Sequence, residues 1–269
     1  MSWLHRSIYS IYAFFRRDAV NVSSYKLNFI FSIADMFLWA LTMGTLGKIT
    51  QSAQAPYMQQ YGNMSAATFM LIGMMCNMFL QQSQGAPQWI ANPGNIERIL
   101  LTPCSIPTFI LGTMSWQYFW SSLNIIVFIF IGTLLFGMDL SVINWFTFII
   151  VLLIGILAMW GLGITAAGIQ LVTKQWNPIT WFLMAFSWLV SGVFYSPEAL
   201  LTVDSSGTLY AFAWYLPQTY VYHMIRLSFI GKTLLDMLPT LANLLILAAV
   251  FFGLGLSLIH ISEPTRQAE

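Results

Sequence analysis

The run Pro107–Phe136 contains no charged side chain, and Leu27–Leu46 contains one, Asp35. A helix needs about 20 apolar residues to cross the hydrocarbon core of a bilayer, and both runs reach that length. A soluble fold would have to bury such helices on every side. Of the 269 residues, 58% are hydrophobic and only 7% charged, with a mean hydropathy of +0.73. A globular domain carries roughly a quarter charged residues. Too few charges remain to solvate a water-facing surface, so lipid must cover much of it. The length accommodates roughly five to seven spans and no large soluble domain. The expectation is an all-α polytopic membrane protein.

Six spans are predicted: Leu27–Leu46, Met64–Gln82, Pro107–Phe136, Val142–Val172, Pro178–Tyr195 and Pro239–Gly255. Pro107 suits a first helical turn, where its missing N–H costs nothing. The segment 196–236 is half apolar and carries Trp214, Tyr215, Tyr220 and Tyr222, residues suited to an interface belt. Pro217 interrupts its apolar run 209–230. A re-entrant or broken helical hairpin is expected, tolerated only where protein covers its backbone.

Residues 3–17 place Leu4, Ile8, Ile11, Tyr12 and Phe15 on one helical face, with Arg6, Ser10 and Arg17 opposite. This describes a helix lying in the headgroup plane, with Arg6, Arg16 and Arg17 toward anionic lipid. Its apolar run is short and closes on Arg16 and Arg17, unlike a secretory signal. With an inner N-terminus, Arg6, Arg16, Arg17, Lys26, Arg98 and Lys174 lie inside, and Lys48, Arg226 and Lys232 outside. The excess of basic residues places the N-terminus in the cytoplasm.

A net charge of +1 provides no basic field for nucleic acid. Cys76 and Cys104 have no metal-type spacing and are expected to be free or buried thiols. Gly231-Lys232-Thr233 mimics the end of a phosphate-binding loop, but Arg226 stands where that loop needs glycine. No nucleophile elbow, zinc-protease motif or catalytic carboxylate pair is present. No catalytic, cofactor or metal residue is assigned.

Asp35 is the one acid inside a predicted span. Charge in a membrane is expensive, so it marks a proton relay, a polar translocation path, or a structural bond to a neighbouring helix. Glu198 and Arg226 fit either an outer gate or solvated loop charges. Gly155, Ala158, Gly161, Gly163, Thr165, Ala167 and Gly168 give the fourth span a face of small residues, including Gly163-x-x-x-Ala167, which permits close helix contact within one subunit, the expected case, or across two.

Between the second and third spans lies Asn92-Pro-Gly-Asn-Ile-Glu-Arg-Ile-Leu-Leu-Thr-Pro103. A turn at Pro93-Gly94 leads to a short helix with Glu97-Arg98, stopped at Thr102-Pro103. Such a helix either inserts Ile99 and Leu100 into a partner's groove or rests on the membrane surface.

The order interface helix, two spans, Glu-Arg…Leu-Leu-Thr-Pro loop and third span resembles the ABC-2 type transporter permeases. Ser191-Gly-Val-Phe-Tyr-Ser-Pro197, followed by Tyr215-Leu-Pro217-Gln-Thr-Tyr220 and Arg226, is similar to that family's fifth-span exit and outer hairpin. The resemblance covers 1–255, taken as a single transmembrane domain. It implies six spans, a cytoplasmic interface helix and a coupling helix formed by Glu97, Arg98, Ile99, Leu100, Thr102 and Pro103. It also implies an outer hairpin including Glu198, Pro217 and Arg226, and a dimer of permeases, here a homodimer. A separate ATPase subunit would carry the ATP and Mg, with no cofactor in this chain. The implied function is ATP-driven export of an amphipathic drug, lipid or lipid-linked glycan across the inner, cytoplasmic membrane. The alternative is an ion-coupled secondary transporter using Asp35, although no inverted repeat is visible. Leu256–Arg266, LSLIHISEPTR, looks like the translation of a sequencing-library adapter. Residues 256–269 are therefore expected to be a non-native tail and carry no functional assignment.

Overall fold

The computed structural model describes residues 3–91, 105–173 and 178–267. Among them the regular secondary structure is all helical, with no strand. The main helices are α1 (Trp3–Ser24), α2 (Lys26–Ile49), α3 (Ala66–Ile90), α4 (Ile106–Phe136) and α5 (Trp145–Thr173). They are followed by α6 (Pro178–Val190), α7 (Thr208–Ala213), α8 (Pro217–Phe229) and α9 (Leu238–Gln267).

Among the described residues, four helical segments are long and apolar enough to cross a membrane: Lys26–Ile49, Thr108–Phe136, Trp145–Thr173 and Leu235–His260. Helix α3 has 25 residues, a length that also suffices, but Asn77, Gln81, Gln82, Gln84 and Gln88 lower its hydropathy. Helix α6 has 13 residues, which at 1.5 Å each reach about 20 Å, short of a ~30 Å hydrocarbon core.

The sequence placed the end of the second span at Gln82; the helix runs on to Ile90, through Pro87. Ser83, Gln84 and Gln88 on this extension are buried among neighbouring helices. The Gln88 amide donates to the Gln84 carbonyl at 3.2 Å. A polar stretch buried inside a bundle has the composition of a loop, which is why the pattern stopped early. At the other end, the Ser65 hydroxyl accepts from the Thr68 amide at 3.1 Å, and Gln51 accepts from the Ala66 amide at 2.7 Å. These bonds satisfy amides that a helix start leaves free.

Helix α5 is the hub, packed by α3, α8 and α9. Its small residues are where the neighbours approach. A Cβ on Gly155 would lie 2.8 Å from Val221 of α8, and one on Gly161 would lie 2.9 Å from Phe252 of α9. Gly163 meets the Gln84 carbonyl and Pro87 of α3. The Thr165 hydroxyl donates to the Phe251 carbonyl at 2.6 Å. The small-residue face serves packing within one chain, as expected.

Helix α1 has a seam that the amphipathic pattern did not show. Phe14 packs edge-on to Phe109 at 5.4 Å, and Phe15 meets Trp116 and Phe119 at 5.4 and 5.5 Å. Gly112 leaves room for Phe14. The Thr108 hydroxyl donates to Ser7 at 3.2 Å. Ile8 and Tyr12, assigned to the same face as Phe15, stay exposed. The helix therefore docks on α4 by one edge and leaves a second apolar row uncovered.

Candidate functional site

Asn28, Ser32, Asp35 and Trp39 recur at helical spacing along α2, so they share one face. That face looks across a cleft of about 730 Å³ toward Asn77, Gln81 and Gln82 of α3 and Trp120, Ser121 and Asn124 of α4, with Trp188 of α6 on its border. Asp35 is exposed in the cleft and, among the described residues, has no hydrogen bond or ion pair. The amides opposite are held in place. Asn77 Oδ1 accepts from the Tyr222 hydroxyl at 2.8 Å and from Gln81 Nε2 at 3.3 Å. Asn124 Nδ2 donates to the Trp120 carbonyl at 3.1 Å. Trp120 is stacked on Trp116 at 6.0 Å and flanked by Phe29 at 5.8 Å. Gln81 Oε1 is buried without a partner, an acceptor left open beside the cleft.

The second polar centre lies in the segment after α6. Pro217 opens α8 as its first helical residue, because a proline that breaks an apolar run also starts a helix well. Helix α8 is mostly buried, and Arg226 is 1% exposed. Its Nη1 donates to the Gly192 carbonyl at 2.7 Å, and its Nη2 to the Val193 carbonyl at 2.8 Å. Nε and Nη2 also reach the Phe69 carbonyl at 3.4 and 3.3 Å. The guanidinium carbon lies over the Phe69 ring, 3.4 Å from its centroid. A buried guanidinium requires several acceptors, and here backbone oxygens from the segment just after α6 and the first turn of α3 supply them. Gly73 makes this possible: a Cβ there would run into the Val193 carbonyl and the guanidinium.

Arg226 is therefore neither a solvated loop charge nor an outer basic residue to be counted for orientation. It does not pair with Glu198, which instead accepts a short hydrogen bond from Ser196. His223, one turn earlier on α8, bonds the Tyr61 hydroxyl through Nδ1 at 2.8 Å and packs edge-on to Trp214 at 5.7 Å. Tyr222, assigned above to an interface belt, is 2% exposed. The space between α3 and α5 buries it, and Asn77 satisfies its hydroxyl. Tyr215 is the belt candidate that remains exposed. In the turn before α7, Asp204 accepts from the Ser206 hydroxyl and amide and from the Leu209 amide. These bonds, the Ser206 hydroxyl first, hold its pKa below the ordinary aspartate value.

Residues 9–230 match the family model described as ABC-2 type transporter, a region that contains both polar centres. The chain belongs to the ABC-2 type transporter family. It is a multi-pass membrane protein and the permease subunit of an ABC transporter, a kind of subunit that partners an ABC ATPase. No curated protein matches the chain.

In this ABC-2 permease, Glu97, Arg98, Ile99, Leu100, Thr102 and Pro103 lie outside the described residues, as do Cys104 and the side chain of Arg6. Arg16 and Arg17 are exposed on α1; Arg17 bonds Asp18 at 2.7 Å and lies 5.0 Å from the Phe14 ring. Cys76 is a buried free thiol. Among the described residues no three His, Cys, Asp or Glu side chains come together as metal ligands. The structure brings Asp35 to a cleft and Arg226, Pro217 and Glu198 to the hairpin, but it does not bring Asp35 and Arg226 together. Asn77, Gln81 and Trp120 were missed as site residues, and Gly73 as the site of close approach. Asn77, Gln81, Gln84 and Gln88 repeat at helical spacing, a polar stripe on a membrane-length helix that pattern reading could have found. Gly73 carries no such signal.

Proposed function

We propose that this chain is the six-span permease half of an ATP-driven exporter that moves an amphipathic substrate across the cytoplasmic membrane. In this proposal two copies pair with two ATPase subunits, and the N-terminus is cytoplasmic. Glu97–Pro103 is the coupling helix, and α1 lies at the interface on anionic lipid. ATP and Mg act on the ATPase alone. The observation that carries the reading is the cleft among α2, α3 and α4. It joins polar amides and a carboxylate to the indole rings of Trp39 and Trp120 on helices of membrane-crossing length, with Trp188 of the shorter α6 on its border. Polar groups on membrane helices are costly unless paired or used, and an amphipathic cargo uses both kinds of surface. Removing Arg226 from the outer basic residues leaves Lys48 and Lys232 there, which strengthens the orientation argument.

The test is co-purification with an ABC ATPase, comparing wild type with Glu97→Ala/Arg98→Ala, followed by transport in inverted vesicles. ATP-dependent uptake that the double variant abolishes, with Asp35 intact, supports export. Uptake driven by an ion gradient without any ATPase would favour the secondary-transporter alternative, which the unpaired Asp35 keeps in play.

A further inference from the structure

The cleft's chemistry is one-sided in charge. Among the described residues its lining includes one carboxylate, Asp35, and no Lys, Arg or His. That carboxylate has no partner among the described residues, whereas Asn77 and Asn124 opposite it are held by hydrogen bonds. Trp39, Trp120 and Trp188 lie on the same walls. Their faces are electron-rich and attract cations, more strongly when water is excluded. We infer that the cleft is a binding site for lipophilic organic cations, with Asp35 as the counter-charge, the indole rings as the aromatic wall, and Asn77 and Gln81 as hydrogen-bonding floor. This deepens the export reading by naming its substrate class, and it rests on that reading only for the word substrate.

The physical case is one of elimination. An anionic cargo would have to sit beside an unneutralised carboxylate. A neutral cargo would leave Asp35 without a counter-charge inside the membrane region. A delocalised cation of moderate size satisfies the carboxylate, stacks on indole and tolerates loss of its hydration shell. The cleft volume of about 730 Å³ lies within the range of sites for small molecules of drug size.

The experiment uses purified permease in nanodiscs without ATPase and follows quenching of tryptophan fluorescence. Three probes of similar shape are compared: the tetraphenylphosphonium cation, neutral triphenylphosphine oxide and the tetraphenylborate anion. Saturable binding of the cation, at least tenfold tighter than the neutral probe, with no saturable anion binding, is expected. Asp35→Asn should weaken cation binding at least tenfold, Asp35→Glu should retain most of it, and Trp120→Phe should cost a few-fold. Equal affinities for the three probes would overturn the proposal, as would an Asp35→Asn variant that binds like wild type. Absence of saturable cation binding to wild type overturns it too, including the case in which a second copy fills the cleft. Should Asp35→Asn fail to yield monodisperse protein, the comparison of probes on wild type and Asp35→Glu still decides. ATPase co-purification is a separate readout, so loss of the cation site and loss of the exporter reading are distinguishable.

Discussion

Two charged side chains of this ABC-2 permease lie away from aqueous loops, and their surroundings are opposite. Arg226 is fully buried, with each guanidinium nitrogen on a backbone carbonyl and its face on Phe69. Asp35 is exposed in a cleft, with no partner among the described residues. A saturated buried charge has no capacity left for a ligand; its work is to fix the segments whose carbonyls it holds. An unsaturated charge facing a cleft has done nothing for the fold and remains available. Burial alone would have pointed to Arg226 as the functional residue, but counting hydrogen bonds points to Asp35.

The strongest way to break this contrast is to remove the guanidinium. Arg226→Met keeps a long apolar stem but leaves the Gly192, Val193 and Phe69 carbonyls without their donor. Each buried unsatisfied group costs about 1–3 kcal/mol, so a loss on the order of 3–5 kcal/mol is expected. It should appear as a large drop in thermal stability and in monodisperse yield. Arg226→Lys should recover only part, because an ammonium cannot reproduce the planar fork. If Arg226→Met is as stable as wild type, Arg226 is not the rivet described here.

Gly73→Ala attacks the same centre from the backbone side. The added methyl meets a carbonyl and a guanidinium that is already fully engaged, so the contact cannot be relieved by a freely moving side chain. A cost of about 1–3 kcal/mol follows, as for other overpacked sites. Chemical denaturation of wild type and variant should reveal it. Combined with Arg226→Met, the two costs should fall short of their sum, since removing the guanidinium also removes half of the clash.

This centre explains why the sequence disclosed one region better than the other. Asp35 stood out because it interrupts an apolar run, and composition alone flags that. The all-helical class, the small-residue face of α5 and the break at Pro217 were legible for the same reason: they are patterns within one segment. Arg226 was read as an outer charge because its acceptors are backbone carbonyls more than 30 residues away in sequence, and carbonyls are the same for every residue type. Tyr222 was placed at an interface belt because aromatic composition does not tell which face of a helix meets α3. The end of α3 was misjudged because buried amides and loop amides have identical composition.

A hydrogen bond links the two regions, from the Tyr222 hydroxyl on α8 to Asn77 at the cleft. Tyr222→Phe removes it with little change of shape. Asn77 Oδ1 keeps its bond from Gln81, so the loss should be near 1 kcal/mol. If the hairpin positions the cleft through this bond, cation affinity should fall a few-fold in the same variant. An unchanged affinity would show that the two centres are mechanically separate.

A smaller effect is expected at the hairpin's exposed turn. Asp204 has a lowered pKa in the folded protein. Its contribution is therefore fully present above the unfolded aspartate value of about 3.9 and is lost as pH falls through the lower folded value. Hydrogen exchange across 204–213 should be flat from about pH 7 to 5 after correction for intrinsic rates, and should rise only below about pH 4. Asp204→Asn should raise exchange in this turn at neutral pH while leaving α8 protected.

The smallest expected change in stability belongs to the residue with the largest expected effect on binding. Asp35→Asn replaces a carboxylate that holds nothing with an amide of the same shape, so stability should stay within about 0.5 kcal/mol of wild type. Thermal denaturation in nanodiscs checks this directly. A loss above about 2 kcal/mol would mean that Asp35 is paired in the assembled transporter, most simply across two copies of the chain, and the contrast with Arg226 would collapse. A neutral result alongside lost cation binding would sharpen the contrast, because a charge that the fold does not need and the ligand does is the signature of a site.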